Sequence, residues 1–359
     1  MSLRVYDCHV PIVIPAYEPD ERLIEVVKQL ISKKVSPIVI VDDGSGDEYR
    51  GIFKQIKEMN NSADVVIISH NVNRGKGRAL KSAFLYILNT WPDAIGCVTA
   101  DSDGQHSLKS ICEVGATLNE YPNSLIMGVR DFHGEDIPWK SRIGNSLTEK
   151  VFRFVTGLHI SDTQTGLRGI PISFMEELLQ VSGERFEFET QMLLECVGKK
   201  TVIEVPIDTI YDSKEQHQTH FNPIKDSLKI YRVLAKKFLK YTFASISSAV
   251  IDIILFTLFC YVLAEHTGFY IVLATVLARI LSAVYNYFLN CRIVFCSKKK
   301  YTISGVKYFL LASIQMFLSA GLVYTASVVF PFVPEVMTKI IIDTMLFFCS
   351  FYIQQIYVF

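Results

Sequence analysis

The chain has 359 residues, half of them hydrophobic, with 36 basic residues balanced by 36 acidic ones. Zero net charge gives no electrostatic footprint for a nucleic-acid partner. The eight cysteines form no Cys-x-x-Cys and no Cys/His cluster, so neither a zinc site nor a disulfide framework is predicted, and a reducing, cytoplasmic setting fits.

The N-terminus leads into a strand pattern with no visible signal peptide. Val10 to Tyr17 is an apolar run interrupted by Pro15 and predicts a first buried strand, followed by an amphipathic helix over Asp20–Ile31. Pro37-Ile38-Val39-Ile40-Val41 predicts a second strand that ends in Asp42-Asp43-Gly44-Ser45. A third strand is expected over Ala63–Ser69. After it, Asn73-Arg74-Gly75-Lys76-Gly77 forms a glycine-rich turn that opens a helix. That turn lacks the spacing of a Gly-Lys-Ser/Thr phosphate loop, which disfavours an ATPase. The run Ala94–Val98 predicts a fourth strand, ending in Thr99-Ala100-Asp101-Ser102-Asp103-Gly104-Gln105-His106. Alternation along an extended chain puts Asp101 and Asp103 on one side. With the Gln105 amide oxygen they make a hard-oxygen site suited to Mg2+ or Mn2+. Strands alternating with helices predict an α/β fold with a mostly parallel sheet. The polar clusters then gather at the carboxyl ends of the strands, where such folds bind nucleotides.

From Tyr241 the chain changes character. Four apolar segments, near Tyr241–Ala264, Gly268–Cys291, Tyr308–Val333 and Val336–Phe359, are long enough to span a bilayer. Lysine and arginine lie before the first span and between the second and third. The other two loops have none, so both termini and residues 1–222 are expected on the cytoplasmic side. Residues 223–240, with Ile224, Leu228, Tyr231 and Leu234 at helical spacing among basic residues, predict an amphipathic interfacial helix. Asp252 and Arg279 fall at similar depth in the first two spans and are expected to pair. Lys240-Tyr241 resembles Lys307-Tyr308, and Ile293-Val294-Phe295 resembles Tyr357-Val358-Phe359. Two hairpins of the same orientation would follow.

The ordered set Pro15-Ala16-Tyr17, Asp42-Asp43-Gly44-Ser45, Asn73 to Gly77 and Asp101 to His106 resembles the family 2 glycosyltransferases of GT-A fold. The Gln-His after the acidic pair and Asp162-Thr163-Gln164-Thr165-Gly166-Leu167-Arg168 point to the branch of dolichol-phosphate mannose synthases and polyprenyl-phosphate glucosyltransferases. The spans resemble the GtrA-like membrane domain through Leu277 to Ala283 and Asn286-Tyr287-Phe288-Leu289-Asn290.

The resemblance implies transfer of a hexose from a GDP- or UDP-sugar to polyprenyl monophosphate, with inversion at the anomeric carbon and help from a metal. Pro15, Tyr17 and Asp42 would line the nucleotide pocket, with Asp43 and Lys76 near it. Asp101, Asp103 and Gln105 would hold the metal. Arg130, Arg142 and Ser146 would grip the acceptor phosphate, and Asp162 and Arg168 would lie beside the reacting sugar. Ser213-Lys214 stands near the family's Ser-Lys motif, though the residues after it depart from the pattern. The Gln-x-x-Arg-Trp of processive synthases is absent. The alternative readings are translocation of a lipid-linked sugar by the spans and glycosyl transfer to another lipid or glycan acceptor, and homo-oligomerisation is left open.

Overall fold

The structure, a computed structural model, describes residues 10–35, 37–59, 65–130, 139–208, 225–263, 270–297 and 299–359. It divides into two compact units, Met1–Arg153 with Leu158–Val233, and Phe154–Gly157 with Leu234–Phe359.

The first unit is built on a seven-stranded sheet of order β3-β2-β1-β4-β6-β5-β7. Its strands are β1 (Ile12–Ala16), β2 (Ile38–Asp42), β3 (Val65–Ser69), β4 (Gly96–Thr99), β5 (Leu125–Arg130), β6 (Arg168–Pro171) and β7 (Val202–Ile207). β6 runs antiparallel between β4 and β5, and the other pairings are parallel. Helices α1 (Glu21–Ser32), α2 (Arg50–Glu58), α3 (Lys76–Thr90), α4 (Leu108–Glu120), α5 (Trp139–Thr156), α6 (Ile172–Leu179) and α7 (Glu187–Cys196) complete it.

The runs Ile12-Val13-Ile14 and Ile38 to Val41 are wholly buried. A parallel sheet covered on both faces requires continuous apolar strands of this kind rather than alternating ones. Asp20 caps α1, its carboxylate accepting the Arg22 N–H at 3.0 Å; Ser107 caps α4 through the Ser110 N–H at 3.1 Å. Register aligns Ala16 with Asp42 and Val13 with Thr99. The segments after β1, β2 and β4 therefore emerge side by side at one edge of the sheet.

The second unit contains four helices long and apolar enough to cross a membrane. They are α8 (Lys225–Leu263), of which the residues from Leu234 on belong to this unit, α9 (Tyr270–Leu289), α10 (Tyr301–Val329) and α11 (Glu335–Ile353). Large apolar side chains such as Phe243, Phe317 and Tyr324 point outward, as lipid-facing residues should. The division expected at residue 240 is not marked by a break. α8 is one helix of 39 residues, because neither glycine nor proline occurs between Lys225 and Leu263. α10 likewise starts earlier than predicted, at Tyr301, and ends before Pro331.

The internal resemblance recurs in three dimensions. α9 and α11 each end in a π turn, Asn290–Val294 and Gln354–Val358. The turns close through Phe295 N–H to Asn290 O and Phe359 N–H to Gln354 O, both 2.9 Å. Phe295 and Phe359 stack with centroids 5.0 Å apart. Tyr241 packs on Phe351 at 5.0 Å, and its counterpart Tyr308 packs on Tyr287 at 5.5 Å. The leading residues of the two π turns meet, Asn290 Nδ2 donating to Gln354 Oε1 at 3.1 Å.

The expected intramembrane pair is present, with Arg279 Nη2 3.4 Å from Asp252 Oδ2. Ser282 Oγ donates to the other Asp252 oxygen at 2.8 Å. In the second hairpin the carboxylate sits on the other helix: Asp343 accepts from Ser319 Oγ at 2.5 Å and pairs with Lys339 at 2.9 Å. A double-mutant cycle with Asp252→Asn and Arg279→Gln should show a coupling of about 0.6 kcal/mol, and no more than about 1.7, typical of polar contacts between membrane helices. Thermal unfolding of the four proteins in one detergent checks this, and strictly additive losses would remove the pair.

Candidate active site

The site is assembled from the segments that follow β1, β2 and β4, the start of α3, the loop before β6, and α7. At its centre is Lys76, the first residue of α3. Its ammonium lies 2.7 Å from Asp101 Oδ1 and 2.9 Å from Glu189 Oε1. Glu189, on α7, is buried and had no sequence signal: Glu187-Phe188-Glu189-Thr190 reads as an ordinary helix start.

Two glycines make the approach possible. Gly75 has φ +101°, and a Cβ there would meet Glu184 O and Arg185 Cγ at 2.5 Å, so the turn that launches Lys76 requires glycine. A Cβ on Gly166 would collide with both carboxylate oxygens of Asp101. The Asp162–Arg168 loop is thereby kept close over Asp101, and Thr99 Oγ1 ties it down by donating to Gly166 O at 2.7 Å.

Asp101 is engaged on both oxygens. Lys76 holds Oδ1, and His106 Nε2 is 3.3 Å from Oδ2. A carboxylate only accepts, so this His106 nitrogen carries the proton. Burial alone would raise the Asp101 carboxyl, but Lys76 and His106 outweigh it and hold it well below the usual carboxylate range. Burial, then the charge of Asp101, raises Asp103. Lys76 is raised above its ordinary value: burial opposes this, and Asp101 and Glu189 overcome it. Asp103 Oδ1 accepts the Gln105 N–H at 3.1 Å, folding the Asp103-Gly104-Gln105 turn.

Among the described residues, no three or more His, Cys, Asp or Glu side chains converge as a ready-made metal cage. Asp101 and Asp103, close enough that the charge of Asp101 raises Asp103, supply hard oxygens without closing a cage. This donor set fits a small divalent cation that takes its remaining oxygens from water and a diphosphate.

The other sequence-predicted residues divide by environment. Half-buried Asp42 accepts the Ser45 N–H at 2.9 Å. Tyr17 lies beside Glu18 and Asn73, with its phenol raised first by a hydrogen bond involving Glu18. With Pro15, these residues form one wall where β1 and β2 end. Asp43 points elsewhere. It is buried and accepts from His70 Nδ1 at 2.7 Å, Arg74 N–H at 3.0 Å and Gly75 N–H at 2.6 Å. It clamps the glycine-rich turn to β2. His70 continues the chain to Ser82 Oγ at 2.9 Å.

Arg130 and Asp162, expected in separate roles, form one unit. Arg130 donates from Nε at 2.6 Å and Nη2 at 3.1 Å to the two oxygens of fully buried Asp162. Arg168 is also fully buried. It donates to Thr165 O at 2.9 Å, Glu189 O at 2.8 Å and Thr163 O at 3.2 Å. Its side chain is an internal strut joining the Asp162–Arg168 loop to α7. Ser146 is half-buried on α5. The Arg142 side chain and Ser213-Lys214 lie outside the described residues.

Residues 12–179 match the family model described as Glycosyl transferase family 2, and residues 232–359 match GtrA/DPMS, transmembrane domain. The chain carries a family 2 glycosyltransferase domain followed by a GtrA/DPMS transmembrane domain. The glycosyltransferase resembles the UDP-N-acetylglucosamine–dolichyl-phosphate N-acetylglucosaminyltransferase of Methanococcus voltae, with 29% identity over 215 residues, 56% of this chain and 85% of the relative. It also resembles the undecaprenyl-phosphate 4-deoxy-4-formamido-L-arabinose transferase of Edwardsiella ictaluri, with 27% identity over 203 residues, 55% of this chain and 59% of the relative. A solved mannosyltransferase from Pyrobaculum calidifontis, in complex with GDP-Man and Mn2+, aligns over 97% of this chain and 87% of its own at 14% identity and TM-score 0.41.

Proposed function

We propose that this glycosyltransferase moves a hexose from a GDP- or UDP-sugar to a polyprenyl monophosphate, with a divalent metal and with inversion. The observation that carries the reading is the Asp101/Asp103 pair at the carboxyl end of β4, in a chain that also carries four membrane-crossing helices. The two relatives, a dolichyl-phosphate and an undecaprenyl-phosphate sugar transferase by name, support the acceptor class. The glycosyltransferase unit would sit at the cytoplasmic face, where the lysines and arginines flanking the spans would place it.

A lipid phosphate is already anionic near neutral pH, so the protein needs little general-base power. It needs cations that hold the phosphate in line with the anomeric carbon. Arg130 suits this: Asp162 fixes its fork from behind, while its side chain stays 23% exposed. Arg142 and Ser146 on α5 would complete the acceptor grip. Pro15, Tyr17 and Asp42 would receive the nucleoside. Asp101, Asp103 and Gln105 would hold Mg2+ or Mn2+, which when bound neutralises charge on the departing diphosphate. Lys76 adds a positive charge at the same place.

Detergent-purified protein, radiolabelled UDP- and GDP-sugars, and dolichyl and undecaprenyl phosphate test this directly. The expected result is one labelled lipid, lost with chelator. Normal nucleotide binding with no labelled lipid from any donor would overturn the acceptor assignment and favour the translocation reading.

A further inference from the structure

We propose that Lys76 is a built-in counter-ion that occupies the Asp101 carboxylate until a divalent cation displaces it, and that Glu189 is the residue that takes over the ammonium. The inference rests on the metal reading of Asp101 and Asp103 given above.

Lys76 Nζ sits 2.7 Å from Asp101 Oδ1, where an approaching cation would have to bind. The other Asp101 oxygen faces His106. Neither oxygen of Asp101 is therefore simply open. The cluster sets three carboxylates, Asp101, Asp103 and Glu189, around the ammonium of Lys76, with the Arg168 guanidinium also acting on Glu189 and Asp101. Without Lys76, Asp101 would lose its closest cationic partner in a low-dielectric site, an expensive arrangement that a divalent cation would relieve.

Displacement raises the question of where the ammonium goes. An ammonium expelled into an apolar wall would oppose metal entry strongly. Glu189 Oε1, already 2.9 Å from Nζ, removes that obstacle. Lys76 can release Asp101 and remain paired without crossing solvent. Glu189 is itself held in place, because its backbone carbonyl accepts from Arg168 at 2.8 Å. Gly75 and Gly77 let the start of α3 lie close to α7: a Cβ on Gly77 would strike Phe188 Cβ at 2.5 Å. Lys76 then sets the affinity of the empty site for metal, and Glu189 acts as a positioning residue for Lys76.

The test is Mn2+ binding to the full-length detergent-purified protein without nucleotide, followed by loss of the free-ion electron paramagnetic resonance signal. Lys76→Met should bind Mn2+ about tenfold more tightly than wild type, the size of one partly buried charge coupling. Lys76→Gln serves as the second variant if Lys76→Met does not give a cooperative melt. Glu189→Gln should weaken binding in the wild-type background and do so much less in the Lys76→Met background, where no ammonium remains to be handed over. Equal affinity of wild type and both Lys76 variants would overturn the proposal. An equal Glu189→Gln penalty in both backgrounds would remove Glu189 from it. Asp101→Asn separates the two layers: if Mn2+ binding survives it unchanged, the metal-site reading fails and the proposal falls with it. If binding is lost there but indifferent to Lys76, only the counter-ion proposal fails.

Discussion

Asp101→Asn is expected to lower glycosyl transfer by about three orders of magnitude while leaving folding and membrane insertion intact. The activity loss follows from removing the carboxylate that would share the charge of metal and diphosphate in the transition state, a loss of the size seen when one preorganised electrostatic group is deleted. The folding expectation follows from Lys76. In the variant its ammonium keeps Glu189 at 2.9 Å, so no isolated buried charge is created. Asn also keeps the volume that Gly166 leaves for the Asp101 side chain. Transfer of radiolabelled sugar to polyprenyl phosphate gives the first number, and circular dichroism with thermal melting in detergent gives the second. Retention of more than a tenth of the activity would remove Asp101 from the metal site.

Arg168→Met is expected to fail differently, through stability. Three carbonyls, those of Thr163, Thr165 and Glu189, accept from one fully buried guanidinium. Methionine fills most of the volume but leaves those acceptors without donors. Each buried unsatisfied group costs about 1–3 kcal/mol, so a total of about 3–5 kcal/mol is expected after relaxation. The melting temperature of the glycosyltransferase unit should fall by about 10 °C or more. Lysine rescues little, because a single ammonium lacks the planar fork that reaches three carbonyls. Burial also pulls the Arg168 pKa below its ordinary value, with Glu189 and Asp162 opposing, so the position tolerates a charge only with its neighbours in place. If Arg168→Met melted like wild type and merely lost activity, the guanidinium would instead be touching substrate.

These two variants separate residues that look alike in the linear chain. Asp101 and Arg168 each sit in a motif that carries the family resemblance. One faces the cleft and the other is enclosed. Asp42 and Asp43 make the same point at closer range. They are adjacent acids after one strand, yet Asp42 stays half-buried at the rim while Asp43 turns inward onto His70, Arg74 and Gly75. Alternation along β2 was the available signal, because consecutive residues of an extended chain point to opposite sides.

Much of the architecture was legible because it depends on local pattern. Continuous apolar runs marked β1, β2 and β4 to within a few residues, since a sheet covered on both faces leaves no polar positions inside it. Long uncharged stretches marked four spans, since backbone and side chains in lipid must satisfy themselves. Asp252 and Arg279 announced each other because lone charges at that depth need partners. The acidic pair after β4 and the glycine-rich turn before α3 stood out by composition and order.

The rest depended on contacts between residues far apart in the chain. β6 runs antiparallel between β4 and β5, and no periodicity encodes a strand's direction or neighbours. Glu189 reaches Lys76 from α7, and Arg168 disappears into the protein, because packing of the loop before β6 against α7 decides which polar groups face the cleft. The residue types and their order therefore determined the family, the two-part layout and the membrane helices, all set by short-range patterns of polarity. Only the tertiary structure decided which carboxylates and guanidinium groups are open to a ligand and which hold the scaffold, because burial and pairing of charge belong to the packed chain.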